Sequence, residues 1–374
     1  MASTEILSSS EYAEAGVDYT KIEPFKRAMV EVGKKTLTFP EHRLVFVDPH
    51  DHGSTYEYRG HYPHAWAKTQ EGLGNKNWIA EWMYQFAGTG CTYYEGIGID
   101  TALMAVNDLI ACGAMPVIYT DEVAAGDSDW FKDEKRAKVL AESFYQVCKM
   151  TGMALPAGES PALRYLVKAE PPVKSAPSLS GCVTGIIAPK KRRITGSIKA
   201  GDHILGVTSS GIHANGISLI IKRALTLPDQ FLTKLNGHTL GEEALIPTRS
   251  YVSLVKALLD EEIDIHAFLP GTGSGLSKIA FDKRPFTYRI HSWVNVPPLF
   301  KFMRELGVSL EDCLTTFNWG IGYYVFASPN VVPEVLFIGE RAGYEVHDLG
   351  VVFEGERKVV FGPEKITLPP PGEN

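Results

Sequence analysis

The chain has 374 residues, more than one hydrophobic core usually organises, so two domains are expected. Its 37 Lys and Arg stand against 44 Asp and Glu, a net charge of −7 that argues against a nucleic-acid partner. No apolar run approaches the roughly 20 residues that span a bilayer, and MASTEILSSSEY lacks a basic and then apolar leader, so neither membrane insertion nor secretion is expected.

In chain order, apolar spacing first predicts a helix from Lys21 to Val32. Four histidines follow in DPHDHGSTYEYRGHYPHAW, namely His50, His52, His61 and His64. HxH or HxxH spacing alone does not establish a closed zinc site, and a loop near substrate or a subunit contact is expected instead. EGLGNK, residues 71–76, sets Glu71 and Lys76 around Gly72 and Gly74, which let a backbone approach a ligand closely. It lacks Walker-loop spacing, and read alone it is a glycine turn carrying surface charges.

GIDTALMAVNDLIACGAMP, residues 98–116, is the most informative stretch. Leu103, Val106, Leu109 and Ile110 mark a buried helical stripe, Asp100 can cap the helix start, and Gly113 with Pro116 ends it. At 100° per residue Asp100 and Asn107 lie about 20° apart around the axis and roughly 10 Å along it, with Asp108 turned further from the stripe. The expectation is that these oxygens face away from the core and suit magnesium and phosphate.

PVIYTDE reads as a strand ending at Asp121 and Glu122, where TDEVAAGDSDW could supply a second metal ligand or simply a solvated acidic loop. A long helix is expected from about Asp133 to Met150, then ALPAGES with Glu159. The Pro/Ser stretch 169–180 precedes the strand-like GCVTGIIAP, which suggests domains over 1–188 and 189–374. The basic run Lys190 to Arg193 reads as a solvated loop. The second half opens as strand, glycine loop and helix in DHILGVTSSGIHANGISLIIKRAL. The SSGIHANG turn could cradle an anion with His213 and Asn215, or be a tight turn with His213 exposed. RSYVSLVKALLDE reads as a helix, GTGSG (271–275) as a second cradle, and GYYVFAS and GYEVHDLGVVFEG as strands; LPPPGEN is expected to be disordered. The 5 cysteines, Cys91, Cys112, Cys148, Cys182 and Cys313, form no CxxC pair and fit a reducing cytoplasmic compartment.

Taken together, YAEAGVDY (12–19), EGLGNK, GIDTALMAVNDLIACGAMP, the GES of ALPAGES, GDHILGVTSSGIHANGISL (201–219), ALIPTRSYV (244–252) and TFNWGIGYY (316–324) follow one another in an order that resembles the aminoimidazole ribonucleotide synthetase, or phosphoribosylformylglycinamidine cyclo-ligase, family. The resemblance implies an α+β N-terminal domain whose sheets pair into a barrel across a homodimer, and a C-terminal α/β domain over the cleft. It implies ATP-dependent ring closure on a small-molecule substrate, with magnesium and, as a further candidate ion, potassium. It makes Glu71, Asp100 and Asp108 the metal ligands. Gly72, Gly74, Lys76, Asp100, Asn107 and Asp121 become nucleotide contacts, and Ser210, Gly211, His213, Asn215, Thr272 and Gly273 contacts to the ribose phosphate. Lys76, Asp108, Glu159 and His213 are then the catalytic candidates. The chain departs from the family where DGVGTK becomes EGLGNK, GETAEMP becomes GESPALR, TGGG becomes the GTGSG region, and the usual glycine-rich loop gives way to the His/Tyr-rich stretch. Alternatives are an ATP-dependent kinase or cyclase acting on another metabolite, or an inactive nucleotide-binding dimer.

Overall fold

The structure is a computed structural model that describes residues 11–50, 53–235 and 237–373. The N-terminal part runs α1 (Glu11–Glu14), α2 (Tyr19–Thr36), β1 (Val45–His50), β2 (Gly53–Tyr58), β3 (Ala65–Gly72), α3 (Lys76–Phe86), α4 (Ile97–Leu109), β4 (Met115–Ala124), α5 (Glu134–Thr151), β5 (Ala154–Glu159) and β6 (Ser178–Ile187). β3, β6, β4 and β5 form a four-stranded sheet in that order, with only β4 and β5 parallel. α4 and α5 cover one face: Leu103, Val106 and Leu109 meet Leu140, Phe144 and Val147 above Tyr119 and Val183, all but fully buried. The β1–β2 hairpin covers part of the other face, packing Val45 on Val117, Ile118, Ala154 and Ile186.

The C-terminal part contains β7 (His203–Thr208), α6 (Ile217–Ala224), the short pair β8 (Lys234–Leu235) and β9 (His238–Thr239), α7 (Leu240–Ala244), α8 (Val252–Asp260), β10 (Ile265–Pro270) and β11 (Phe286–Ile290). It continues with α9 (Pro298–Glu305), α10 (Leu310–Thr316), β12 (Ile321–Ala327), α11 (Val332–Arg341), β13 (Val346–Glu354), β14 (Lys358–Phe361) and β15 (Ile366–Leu368). Seven strands pair in the order β10-β12-β7-β13-β11-β14-β15. β12 and β10 are buried at every position, as expected of strands covered on both faces. Leu254, Leu258, Val335 and Ile338 of α8 and α11 line one side, in the same apolar cluster as the N-terminal core. Ile220, Phe300 and Leu314 line the other.

The helices expected from periodicity form close to their expected limits. Asp133 caps α5 by accepting from Arg136 N, and Gly113 ends the α4 region at φ 82°. A side chain at Gly113 would also strike Arg192 O, so the turn requires glycine twice over. Two expectations are corrected. α4 begins after Gly96, which places Asp100 inside its first turn and not at the cap. The C-terminal tail is ordered through residue 373: Leu368 is fully buried and pairs with Val359, Pro370 is buried, and Arg357 holds Glu373.

Candidate functional site in the cleft between the two sheets

α4 is buried nearly all round, from Ile97 to Leu109, because residues 246–251 of the C-terminal part lie across its polar face. Asp100 is completely buried and accepts from Thr248 N at 2.8 Å and Thr248 Oγ1 at 2.5 Å. Asn107 donates to Arg249 O at 3.0 Å and accepts from Tyr251 N at 3.2 Å. The expectation that both face outward is therefore wrong: a polar helix face binds a second polar surface as readily as it binds water.

Lys76, the first residue of α3, is also fully buried. Its Nζ lies 2.9 Å from Asp100 Oδ2, and it donates to His213 O at 2.8 Å and Ile246 O at 2.7 Å. The ammonium is thus saturated by one carboxylate and two carbonyls from the far side of the cleft. In this arrangement Lys76, Asp100 and Asn107 join the two halves. Asn75 adds a tie, donating to Ser218 Oγ on α6 at 2.9 Å.

Asp108 differs from its neighbours. It is only half-buried, and its Oδ1 is shielded from water with no hydrogen-bond partner. Burial pushes its carboxyl up to about 6; the Lys278 ammonium opposes that rise and the Glu71 carboxylate adds to it. Lys278 comes from the short 3-10 helix Gly275–Ala280 of the C-terminal part, and its Nζ hydrogen-bonds Thr272 Oγ1 in the glycine loop. A side chain at Gly273 of that loop would lie 3.9 Å from Asn215 Oδ1, and Asn215 Nδ2 is buried without a partner. Glu71 and Asp108 are thus electrostatically coupled to Lys278, which Thr272 holds, and Gly273 of the same loop neighbours Asn215. Gly72 and Gly74 sit exposed at the end of β3, Gly74 in the left-handed region at φ 74°.

The SSGIHANG loop holds a further correction. His213 is 3% exposed at φ 61°, its ring between Tyr251 and Gly322, and it accepts weakly from Ser210 N at 3.4 Å. Burial, reinforced by Lys76 and Arg249, pushes its pKa down to about 3, which favours the neutral imidazole, and the reading of His213 as an exposed turn residue is corrected. Ser210 is exposed but donates to Pro247 O at 2.6 Å, and Gly211 O accepts from Asn318 Nδ2 at 2.9 Å.

Asp121 and Glu159 lie elsewhere on the same sheet, in a cavity of about 840 Å3 between α2 and β5 that Lys26, Lys34 and Ser160 also line. A side chain at position 158 would strike Asp121 Oδ1, which is why glycine adjoins it. Burial pushes Asp121 up to about 7; its own backbone N–H opposes the rise, and Glu159 and Glu122 add to it. The folded state thus binds this proton more tightly than the unfolded chain, and stability falls as pH rises from about 4 to about 7. Asp121→Asn is expected to be more stable than the parent at pH 8 by up to about 4 kcal/mol, with the gap closing by pH 4. Urea unfolding at the two pH values checks this; an equal or lower stability at pH 8 refutes it. Of the other acids in that loop, Asp127 pairs with Arg164 and Asp129 with Lys21 at 2.7 Å.

His61 and His64 are exposed, and the His64 ring packs against Tyr58 at 4.7 Å and Trp66 at 5.9 Å. His50 ends β1 and His52 lies outside the described residues. Among the described residues, no helix is long and apolar enough to cross a membrane.

The comparisons with known proteins agree with this architecture. The family described as AIR synthase related protein, N-terminal domain, matches residues 69–187, and its C-terminal domain matches residues 199–362. The phosphoribosylformylglycinamidine cyclo-ligase of Pyrococcus furiosus is 34% identical over 348 residues, covering 92% of this chain and 95% of that protein. The Pyrococcus horikoshii enzyme of the same name is 32% identical, covering 96% and 97%. Among solved structures, thiamine-monophosphate kinase from Stenotrophomonas maltophilia superposes with a TM-score of 0.60 at 16% identity, covering 91% of this chain and 97% of that one. Hydrogenase maturation protein HypE in complex with ATP gives 0.60 at 16% identity, covering 94% and 93%. Both domain matches, in order, and relatives aligned over nearly their full length place this chain in the AIR synthase related protein family.

Proposed function

We propose that the protein closes formylglycinamidine ribonucleotide to aminoimidazole ribonucleotide, consuming ATP and releasing ADP and phosphate. The single observation that carries this is the alignment of the chain with 95% of a phosphoribosylformylglycinamidine cyclo-ligase at 34% identity. In such a reaction the formyl oxygen takes the γ-phosphoryl group as the bond to ADP breaks. The amidine nitrogen then attacks the formyl carbon, phosphate leaves, and loss of a proton gives the aromatic imidazole.

The cleft supports this chemistry through its donor set. Asp108 Oδ1 lacks a partner and Glu71 adds a second carboxylate, an all-oxygen pair that fits a hard divalent ion such as Mg2+. Among the described residues no three ligating side chains gather at one point, which suits an ion completed by nucleotide phosphates and water. Bound there, the ion would neutralise charge on the transferring phosphoryl group. Thr272, Gly273 and Asn215 would orient the ribose phosphate from the opposite wall. The Lys76–Asp100 pair and the residue 246–251 strap would hold the two walls at a fixed separation, and Asp121 and Glu159 would extend the site along the sheet. The remaining exposed face of the four-stranded sheet, with Trp66 39% exposed on edge strand β3, would close against a second copy. The 5 cysteines, all free, suit a reducing cytoplasm.

Purified protein given ATP, Mg2+ and formylglycinamidine ribonucleotide is expected to form ADP and aminoimidazole ribonucleotide in equal amounts; neither product at high enzyme concentration rejects the reading. The β1–β2 hairpin occupies the stretch where the resembling family has a glycine-rich loop, and it favours as a second reading an ATP-dependent reaction on another metabolite. ADP release stimulated by a different small molecule, and not by formylglycinamidine ribonucleotide, would establish it.

A further inference from the structure

Asn318, in the turn between α10 and β12, is 3% exposed and uses both ends of its carboxamide. Its Nδ2 donates to Gly211 O at 2.9 Å and to Ile212 O at 3.2 Å, two successive carbonyls of the SSGIHANG loop. Its Oδ1 accepts from Gly320 N at 2.9 Å and from Ser209 Oγ at 3.3 Å. Only the NH2 group can meet two carbonyls, so these partners fix which way the amide faces. The peptide units that carry the two carbonyls are trans and planar, which sends the N–H of Ile212 and the N–H of His213 away from Asn318. His213 lies at φ 61°, and a left-handed residue in such a turn gathers successive N–H groups on one side. Ile212 and His213 are buried, yet among the described residues neither N–H, nor that of Gly211, donates to any acceptor. Buried amides without an acceptor are rare, so the loop carries donors that the polypeptide itself does not satisfy.

We infer that Asn318 is a positioning residue, which turns two carbonyls of the loop toward itself so that the N–H groups of Ile212 and His213 receive the phosphate of the substrate. The inference rests on the reading above that this wall holds the ribose phosphate, and it changes what does the holding. The Ser210 hydroxyl is engaged by Pro247 O, and the His213 ring is packed between Tyr251 and Gly322, which leaves the main chain to donate. Donors fixed in advance need no ordering when the anion arrives, and a charged acceptor strengthens each bond. Asn318 itself touches no substrate in this arrangement. It acts only through the direction in which it holds two peptide units.

The test uses the whole purified chain, with ribose 5-phosphate as the probe and ribose as its uncharged control. In the parent, amide hydrogen exchange read by mass spectrometry is expected to slow in peptides spanning residues 209–216 with ribose 5-phosphate and not with ribose. Asn318→Asp keeps an acceptor for Gly320 N but sets an oxygen against the two carbonyls. At pH 8 it should bind ribose 5-phosphate more weakly by on the order of 10 to 100-fold, because the bonds lost are to a charged group. Its affinity for MgATP should stay within a few fold of the parent. Ser209→Ala removes only the 3.3 Å contact to Oδ1 and should bind ribose 5-phosphate as the parent does. Unslowed exchange in the parent overturns the inference without any variant. Unchanged binding in Asn318→Asp also overturns it, as do equal losses for ribose 5-phosphate and MgATP, the mark of a purely structural residue. Cyclisation is assayed separately: a chain that does not close the ribonucleotide, yet loses ribose 5-phosphate selectively in Asn318→Asp, rejects the reaction and supports the role of Asn318. Where cyclisation proceeds, Asn318→Asp should raise KM for the ribonucleotide at near-parent kcat, and an unchanged KM overturns the inference.

Discussion

Asp108→Asn is expected to lower turnover by at least about 100-fold while the protein stays folded, since removing even an outer support of a metal ligand costs about 10 to 100-fold. The substitution keeps shape and removes one negative charge. It should be well tolerated by the fold: burial already disfavours the ionised carboxyl, and Oδ1 makes no hydrogen bond that asparagine would break. The loss should fall on kcat and on metal affinity, and the melting temperature in chelator should not drop. Steady-state kinetics over a Mg2+ series, with melting curves beside them, decide the matter. Turnover within a few fold of the parent would move the metal away from Asp108. A collapse in melting temperature would instead make Asp108 a structural residue.

That prediction singles out Asp108 from three acidic or amide residues that the helix pattern treats alike. The 3.6-residue period correctly separates Leu103, Val106 and Leu109 from Asp100, Asn107 and Asp108. It cannot say what the second group meets. Polarity reports only that a side chain needs partners, and for Asp100 and Asn107 those partners are Thr248, Arg249 and Tyr251, far along the chain in the other half. The same limit applies to Lys76 and His213, whose neighbours are set by how the two halves dock. Glu71 and Asp108 enter the proposed site as a pair because the resemblance carries both motifs. Lys278 does not enter in this way: its only signal is a lysine after a glycine run, GTGSGLSK, and such a lysine is most often solvated. The β1–β2 hairpin escapes for a further reason, since histidines and tyrosines at mixed spacing carry no clear strand period, and the register between β1 and β2 is set by their pairing. The tail LPPPGEN misleads through its prolines: Leu368 adds β15 to the edge of the sheet, and Pro370 is buried beyond it.

The docking of the two halves is also where the largest effect on stability is expected. Lys76 and Asp100 are both 0% exposed, and together they bridge α3, α4, the His213 loop and the residue 246–251 strap. Lys76→Met should destabilise the protein by about 3–5 kcal/mol at pH 8, because it leaves a buried carboxylate with no counter-charge. The sign of the pH dependence follows. Burial already raises the Asp100 carboxyl while Lys76 and Thr248 oppose the rise, so losing Lys76 raises it further. In the variant Asp100 takes up a proton as pH falls, and the deficit should shrink toward pH 5. In the double variant Lys76→Met/Asp100→Asn no charge is left to strand, and the amide oxygen introduced by Asp100→Asn can still accept from Thr248 N. This double variant should lose clearly less than the sum of the single losses. Urea unfolding of the four proteins at pH 8 and pH 5 reads out the cycle. Additive losses, or a Lys76→Met deficit that does not depend on pH, would mean that the pair merely fills space, and the two walls of the cleft would then be held by packing alone.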